Sequence, residues 1–146
     1  MEIRVQWKGG MRFQGITPLG TTVMMDTYPE QGGSDTGPTP METLLMALAG
    51  CTAMDVVPTL RKMRAPLEDL ILHVSARRAT EHPKVLTDVH LRYVARGRGL
   101  QEEQVEKAVG LSQEKYCSIA AMLRLAVRIT TEVVVEDGAA NQATVA

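Results

Sequence analysis

Two cysteines are the residues whose type and placement could support chemistry in this sequence. Cys51 lies in the middle of an apolar stretch, and Cys117 directly precedes Ser118–Arg124, a short segment with helical spacing. A thiolate is a good nucleophile, and the free N–H groups at a helix start stabilise it. A buried cysteine can equally be an inert small hydrophobic residue. The pair therefore indicates either thiol redox chemistry or two core cysteines.

Asp55 complicates the redox interpretation. It follows Cys51 by four residues, which places both side chains on the same face of a helix. A carboxylate in that position opposes ionisation of the neighbouring thiol. We therefore expect either a nearby cation that offsets Asp55 or a Cys51 that is not a ready thiolate.

The element that must position Cys51 is a long central helix, predicted over residues 39–64. Thr39 suits the N-cap, Pro40 the first helical position, and Glu42 completes a capping box. The following residues, 44–57, are apolar or small nearly all the way round, which predicts a helix covered on every side. Pro58 should bend or end its first part. A glycine directly before Cys51, Gly50, predicts that something approaches the helix backbone closely there.

The rest of the chain predicts an α+β protein with largely antiparallel strands around this helix. Period-two patterns indicate a β meander over residues 1–27 and β-β-α-α-β over residues 67–136, with a loose tail at 137–146. We expect one domain, 1–146. Because few elements are available to cover the central helix, a second copy of the chain should help to bury it, as an intertwined homodimer.

Composition excludes several classes of function. The chain of 146 residues is 45% hydrophobic with a net charge of −1. Its basic residues are dispersed, which predicts no nucleic-acid partner and no anionic membrane surface as a partner. The uncharged run in the central helix, residues 43–54, is 12 residues long and too short for a bilayer span. No secretory signal pattern is present, so we expect a reducing cytoplasmic location. No cofactor-binding motif appears.

Two segments together resemble the OsmC/Ohr family of osmotically inducible and organic-hydroperoxide-resistance proteins. They are GPTPMETLLMALAGCTAMDVV, at residues 37–57, and EKYCSIAAML, at residues 114–123. The resemblance implies an intertwined homodimer with sites at the subunit interface. It also implies that Cys51 attacks an organic hydroperoxide, that Cys117 closes a disulfide, and that a dithiol reductant, for example of the lipoyl type, reopens it.

The resemblance further implies an arginine and a glutamate beside the reactive thiol. Arg12 in the meander is the first candidate for the arginine and Arg4 the second. Glu42 is the candidate glutamate, although it falls one residue after the position that aligns, about 100° round the helix. Ser118 stands where the peroxidases commonly have proline. The sequence is thus closer to an OsmC-like branch outside the well-characterised peroxidases.

Two further groups of residues are interpreted as solvated. A hairpin turning at residues 81–82 would place His73 opposite His90, but no third metal ligand accompanies them. Five arginines, Arg77, Arg78, Arg92, Arg96 and Arg98, are more typical of a solvated face than of an anion site.

Two functions remain open at this level. The first is thiol-dependent reduction of organic hydroperoxides by Cys51 and Cys117, helped by Arg12 and Glu42. The second is an OsmC-like protein without peroxidase activity that binds a hydrophobic small molecule near Cys51.

Overall fold

The chain folds as an α+β protein, as the sequence predicts. The computed structural model describes residues 1–138, so most of the predicted tail, 139–146, lies outside the described residues. The elements in chain order are β1 (Arg4–Trp7), β2 (Phe13–Ile16), β3 (Thr22–Met25), a 3-10 turn (Pro29–Gln31), α1 (Pro40–Lys62), β4 (Asp69–Arg78), β5 (Leu86–Arg96), α2 (Glu102–Leu111), a π-helical turn (Ser112–Tyr116), α3 (Ser118–Leu123) and β6 (Arg128–Glu136). They form two compact units that divide after Met46. The single domain expected from the sequence stays a prediction.

The first unit contains the predicted three-stranded meander. β1, β2 and β3 pair antiparallel in that order, with Trp7 opposite Phe13 and Phe13 opposite Met25. Gly9 and Gly10 both have positive φ, at 91° and 56°. Because only glycine adopts such angles without a steric cost, this pair turns β1 into β2.

Asp26 organises the loop between the meander and α1. Its buried carboxylate accepts hydrogen bonds from the Thr36 hydroxyl at 2.7 Å and from the backbone N–H groups of Thr27, Ser34 and Thr36. The Thr36 hydroxyl and these amides outweigh the opposing effect of burial and lower the pKa of Asp26 to about 2. The loop also depends on Gly33, where a Cβ would lie 1.8 Å from the Thr27 carbonyl oxygen. These contacts give the loop a defined conformation.

The start of α1 is the capping box expected from the sequence. The Thr39 hydroxyl accepts from the Glu42 N–H at 3.2 Å, and the Glu42 carboxylate accepts from the Thr39 N–H at 2.7 Å. Pro58 was expected to bend the helix or to end its first part. It does not end the helix, because α1 continues to Lys62. Pro58 lies on an exposed face, where solvent can satisfy the carbonyl that loses its helical partner.

One chain does not cover α1 on every side. Only one stripe, with the spacing of a single helix face, is buried: Leu48, Thr52, Val56 and Leu60. By contrast, Met46 and Met54 are 60% and 78% exposed. A Cβ at Gly50 would meet no atom within 4 Å, so the close approach predicted there is not made within the described residues. The 12-residue uncharged run expected to be too short for a bilayer span lies within the 23-residue helix α1. By length and composition alone this whole helix could cross a membrane, a test that a core helix also passes.

The second unit is built on the sheet β4-β5-β6. β4 and β5 are antiparallel, whereas β5 and β6 are parallel, because the chain crosses over through α2 and α3 before it returns as β6. β5 is the central strand and carries buried core residues such as Val89, Leu91 and Tyr93.

The predicted hairpin register of β4 and β5 is wrong. His73 lies opposite Arg92, and His90 lies opposite Ser75. The turn is centred one residue later than expected, and a bulge follows at Arg77 and Arg78. Since a two-residue change in pairing separates the histidines, the structure does not place them as a facing pair.

Candidate functional site

The structure brings the two cysteines together, although 66 positions of sequence numbering separate residues 51 and 117. Cys51 is half-buried on α1, and Cys117 is the N-cap of α3 and only 2% exposed. Both thiols are free. The two sulfurs and one carboxylate oxygen of Asp55 all lie within 4.8 Å of one another. This cluster of Cys51, Asp55 and Cys117, the thiol–carboxylate cluster, is the candidate functional site.

Burial decides the protonation of Cys117. Burial is the largest cause that raises the pKa of Cys117 to about 11, and the hydrogen bond to Cys51 is the second. The Ala120 N–H donates to the Cys117 sulfur at 3.4 Å and acts in the opposite direction. The helix start was expected to stabilise a thiolate at Cys117; that effect is present but weaker than burial. Cys117 is therefore a protonated thiol at neutral pH.

A π-helical turn sets the position of Cys117. The Cys117 N–H donates to the Ser112 carbonyl at 2.9 Å, a bond that spans five residues and so admits one more residue than an α-turn. Ser112 and Gln113, at the start of the turn, are buried. The turn thus directs two polar side chains into the core of the second unit, immediately before the cysteine.

A chain of hydrogen bonds, buried beyond its part-buried first link, leads away from Asp55. The Ser112 hydroxyl donates to the Asp55 carboxylate at 2.9 Å, so its oxygen must accept from the Thr52 hydroxyl at 2.8 Å. With its proton committed, Thr52 accepts from the Tyr93 hydroxyl at 2.8 Å. The Gln113 amide N–H₂ donates to both Tyr93 and Thr52, at 3.2 Å each. Every hydroxyl therefore points its proton toward Asp55.

Arg124 closes the other end of this chain. Its guanidinium donates to the Gln113 side-chain oxygen at 3.0 Å and to the Gln113 carbonyl at 2.9 Å. These bonds fix the orientation of the Gln113 amide, with its oxygen toward Arg124 and its nitrogen toward the hydroxyls. A cation and a carboxylate are thus joined by an oriented polar chain, which we call the Arg124–Asp55 chain.

This chain of hydrogen bonds was not predicted from the sequence. Its signal was nevertheless present, because Thr52 and Asp55 are isolated polar residues in an apolar helix and buried polar groups require partners. Tyr93 shows the same principle: burial raises the pKa of its hydroxyl, and two hydrogen bonds only partly compensate. What the sequence could not supply was the identity of the partners, since Ser112 is 60 residues from Thr52.

Arg12 and Glu42, the other two predicted site residues, belong to the first unit and have local partners there. The Arg12 guanidinium donates to the Lys8 carbonyl at 3.3 Å. Glu42 closes the capping box with Thr39 and accepts from the Tyr28 hydroxyl at 2.8 Å. The Thr39 N–H, then the Tyr28 hydroxyl, lower the pKa of Glu42. The capping interpretation of Glu42 is thereby confirmed, and the catalytic roles of Arg12 and Glu42 stay predictions.

Comparisons with known proteins agree with the fold of this chain. The family described as "OsmC-like protein" matches residues 32–132. Protein YhfA of Escherichia coli K12 is 41% identical over 130 residues, which cover 89% of this chain and 94% of YhfA. A hypothetical protein from Aquifex aeolicus VF5 has a similar structure, with a TM-score of 0.77, 31% identity, and 92% of this chain and 96% of that one covered.

A more distant solved structure has the same fold. It is an organic hydroperoxide resistance protein OsmC from Legionella pneumophila, with a TM-score of 0.66, 18% identity, and 91% of this chain and 96% of that one covered. The family match spans most of the chain, and the relatives are covered over nearly their whole length. The chain is therefore a member of the OsmC/Ohr family of OsmC-like proteins.

Proposed function

We propose that this protein is a two-cysteine thiol peroxidase that reduces organic hydroperoxides. The Cys51 thiolate attacks the terminal oxygen of the hydroperoxide, the O–O bond breaks, and the leaving alkoxide takes a proton to become the alcohol. Cys51 is then a sulfenic acid. The Cys117 thiol condenses with it, an S–S bond forms and water leaves. A dithiol reductant restores both thiols and becomes a disulfide itself.

The observation that carries this proposal is the separation of the two sulfurs. They lie within 4.8 Å of each other, whereas a disulfide requires about 2.05 Å. The remaining closure of less than about 3 Å is within reach of side-chain rotation and a small backbone shift. Two thiols brought this close from distant parts of the chain supply both halves of the reaction.

The different exposure of the thiols supports their separate roles. Cys51 is half-buried and open to a small substrate, whereas Cys117 is almost completely buried. A buried thiol is protected from external oxidants and stays reduced until the sulfenic acid forms beside it. The Legionella pneumophila relative is an organic hydroperoxide resistance protein, which supports this reaction. Arg12 and Glu42 are proposed as helpers on family resemblance.

A homodimer in the cytoplasm is part of the same proposal. In the second unit, the apolar helix α1 leaves Met54 78% exposed. In the first unit, the meander leaves Trp7 and Val5 64% and 52% exposed. Large apolar surfaces of this kind are usually covered by a partner, and a second copy of the chain is the simplest one. Two free cysteines are also typical of a reducing compartment.

The experiment is a peroxidase assay on purified, reduced protein with an alkyl hydroperoxide and a dithiol such as dihydrolipoamide. We expect multiple turnovers, and an oxidised protein that has lost two free thiols and formed one intramolecular disulfide. Cys51→Ser should abolish turnover. Cys117→Ser should stop after one oxidation with a sulfenic acid at Cys51. Absence of turnover in the wild type, or equal activity in Cys51→Ser, would overturn the proposal.

The second candidate is a non-enzymatic protein that binds a hydrophobic small molecule near Cys51. One observation favours it: the Asp55 carboxylate lies beside both thiols and opposes a thiolate there. Native mass spectrometry distinguishes the candidates. A co-purified ligand that Cys51→Ala retains would support binding, whereas a ligand-free protein that turns over hydroperoxide would support the enzyme.

A further inference from the structure

We infer that the reduced thiol–carboxylate cluster binds one thiophilic divalent cation of the Zn²⁺ type, with Cys51, Cys117 and Asp55 as its three protein ligands. Nothing in the proposed peroxidase reaction requires this site. It is a second use of the same thiols, available only while both are reduced.

The spacing of the three ligand atoms fits such an ion. In a tetrahedral zinc site with Zn–S bonds of about 2.3 Å, the sulfurs lie about 3.7 Å apart. The two sulfurs and the Asp55 oxygen lie within 4.8 Å of one another. No separation needs to shorten by more than about 1 Å to reach this geometry, so the site is nearly preformed.

The chemical types of the ligands select the metal. Two thiolates favour a soft or borderline ion over Mg²⁺ or Ca²⁺, which prefer oxygen ligands. Binding converts two thiols to thiolates, so two protons leave to solvent for each ion bound. The charge of the ion compensates the two thiolates and leaves the Asp55 carboxylate as the remaining negative ligand. Three protein ligands leave the fourth tetrahedral position for water or another small ligand.

Hydrogen bonds from neighbouring residues hold two of the three ligands in place. The Ser112 hydroxyl donates to Asp55 Oδ2 and so fixes the carboxylate, as outer-shell groups do in known metal sites. The Ala120 N–H donates to the Cys117 sulfur at 3.4 Å, a bond that favours the ligating thiolate. The Arg124–Asp55 chain supports Ser112 in turn. Two of the three ligands, Asp55 and Cys117, thus have the outer-shell hydrogen bonds expected of a metal site.

The test is a Co²⁺ titration of reduced, metal-free wild-type protein under anaerobic conditions, followed by displacement with Zn²⁺. Co²⁺ bound by thiolates shows a sulfur-to-metal charge-transfer absorption, which surface carboxylates and histidines do not produce. We expect this band to saturate at one Co²⁺ per chain and to disappear when one Zn²⁺ is added. One equivalent of Zn²⁺ should also slow alkylation of Cys51 in the wild type at least 10-fold.

Substitutions locate the site. Cys51→Ser and Cys117→Ser should each lose most of the band, and Asp55→Asn should weaken Zn²⁺ affinity by about 10- to 100-fold or more. Asp55→Asn keeps the shape of the side chain and an oxygen for Ser112, so its fold should be retained. The control is the double variant His73→Ala/His90→Ala, which removes surface histidines and should bind as the wild type does.

Three results would overturn the inference. The first is the absence of a charge-transfer band in the wild type. The second is a band of undiminished intensity in Cys51→Ser, and the third is an unchanged Zn²⁺ affinity in Asp55→Asn. None of them bears on peroxidase turnover, which is measured without metal. Failure of this inference and failure of the proposed function are therefore distinguishable.

Discussion

The hydroxyl of Tyr93 lies 2.8 Å from the hydroxyl of Thr52, and both side chains are completely buried in the second unit. This pair is the middle of the Arg124–Asp55 chain. Because each hydroxyl has one proton and Asp55 at the end only accepts, the direction of every bond is determined. The carboxylate beside the two thiols is thus held by a polar network within the hydrophobic core.

Removal of the Tyr93 hydroxyl should destabilise the protein. In Tyr93→Phe, Thr52 loses one of its donors and Gln113 loses one of its acceptors inside the core. Such a loss costs about 1–2 kcal/mol of unfolding free energy. Urea unfolding followed by circular dichroism measures it.

Tyr116→Phe is the matched control for this prediction. Tyr116 is 51% exposed, so loss of its hydroxyl leaves no buried group unpaired. We expect its unfolding free energy to stay within about 0.5 kcal/mol of the wild type. If both variants lose the same stability, the buried network does not contribute as described.

Asp26 should make the unfolding free energy of the first unit depend on pH in the acidic range. Its folded pKa of about 2, lowered chiefly by the Thr36 hydroxyl, is below the unfolded value of about 3.9. Its contribution is therefore complete above about pH 5 and is lost progressively as the pH falls through 2. Comparing the unfolding of wild type and Asp26→Asn between these pH values should show the difference shrinking with acid. Asp35→Asn, in the same loop and exposed, should show no such convergence.

Gly33 should not tolerate a side chain. In Gly33→Ala the new Cβ would lie 1.8 Å from the Thr27 carbonyl oxygen, so the backbone of the loop must shift. We expect a loss of about 2–3 kcal/mol in unfolding free energy, measured by denaturant titration. Gly110→Ala, where a Cβ would meet nothing within 4 Å, should be neutral or stabilising because alanine favours the helix. A neutral Gly33→Ala would show that the loop conformation differs from the one described.

Local sequence determined the elements whose causes lie within a few residues. Thr39 and Glu42 are three residues apart, and their side chains and backbones satisfy each other without any distant partner. The glycine pair at 9 and 10 likewise turns the first hairpin through its own backbone freedom. Both features were therefore predictable from the printed sequence. The two cysteine motifs were similarly sufficient for recognition of the family.

The tertiary structure alone decided the site. That Cys117 approaches Cys51, and that burial outweighs the helix start in setting its pKa, depends on how α1 packs with the π-helical turn. The same is true of the register that separates His73 from His90, and of Ser112 as the partner of Asp55. Hydrogen bonds and desolvation act over a few ångströms in space, whereas these residues are tens of positions apart in the chain. Sequence spacing carries no measure of that distance, so the site becomes visible only when the chain is folded.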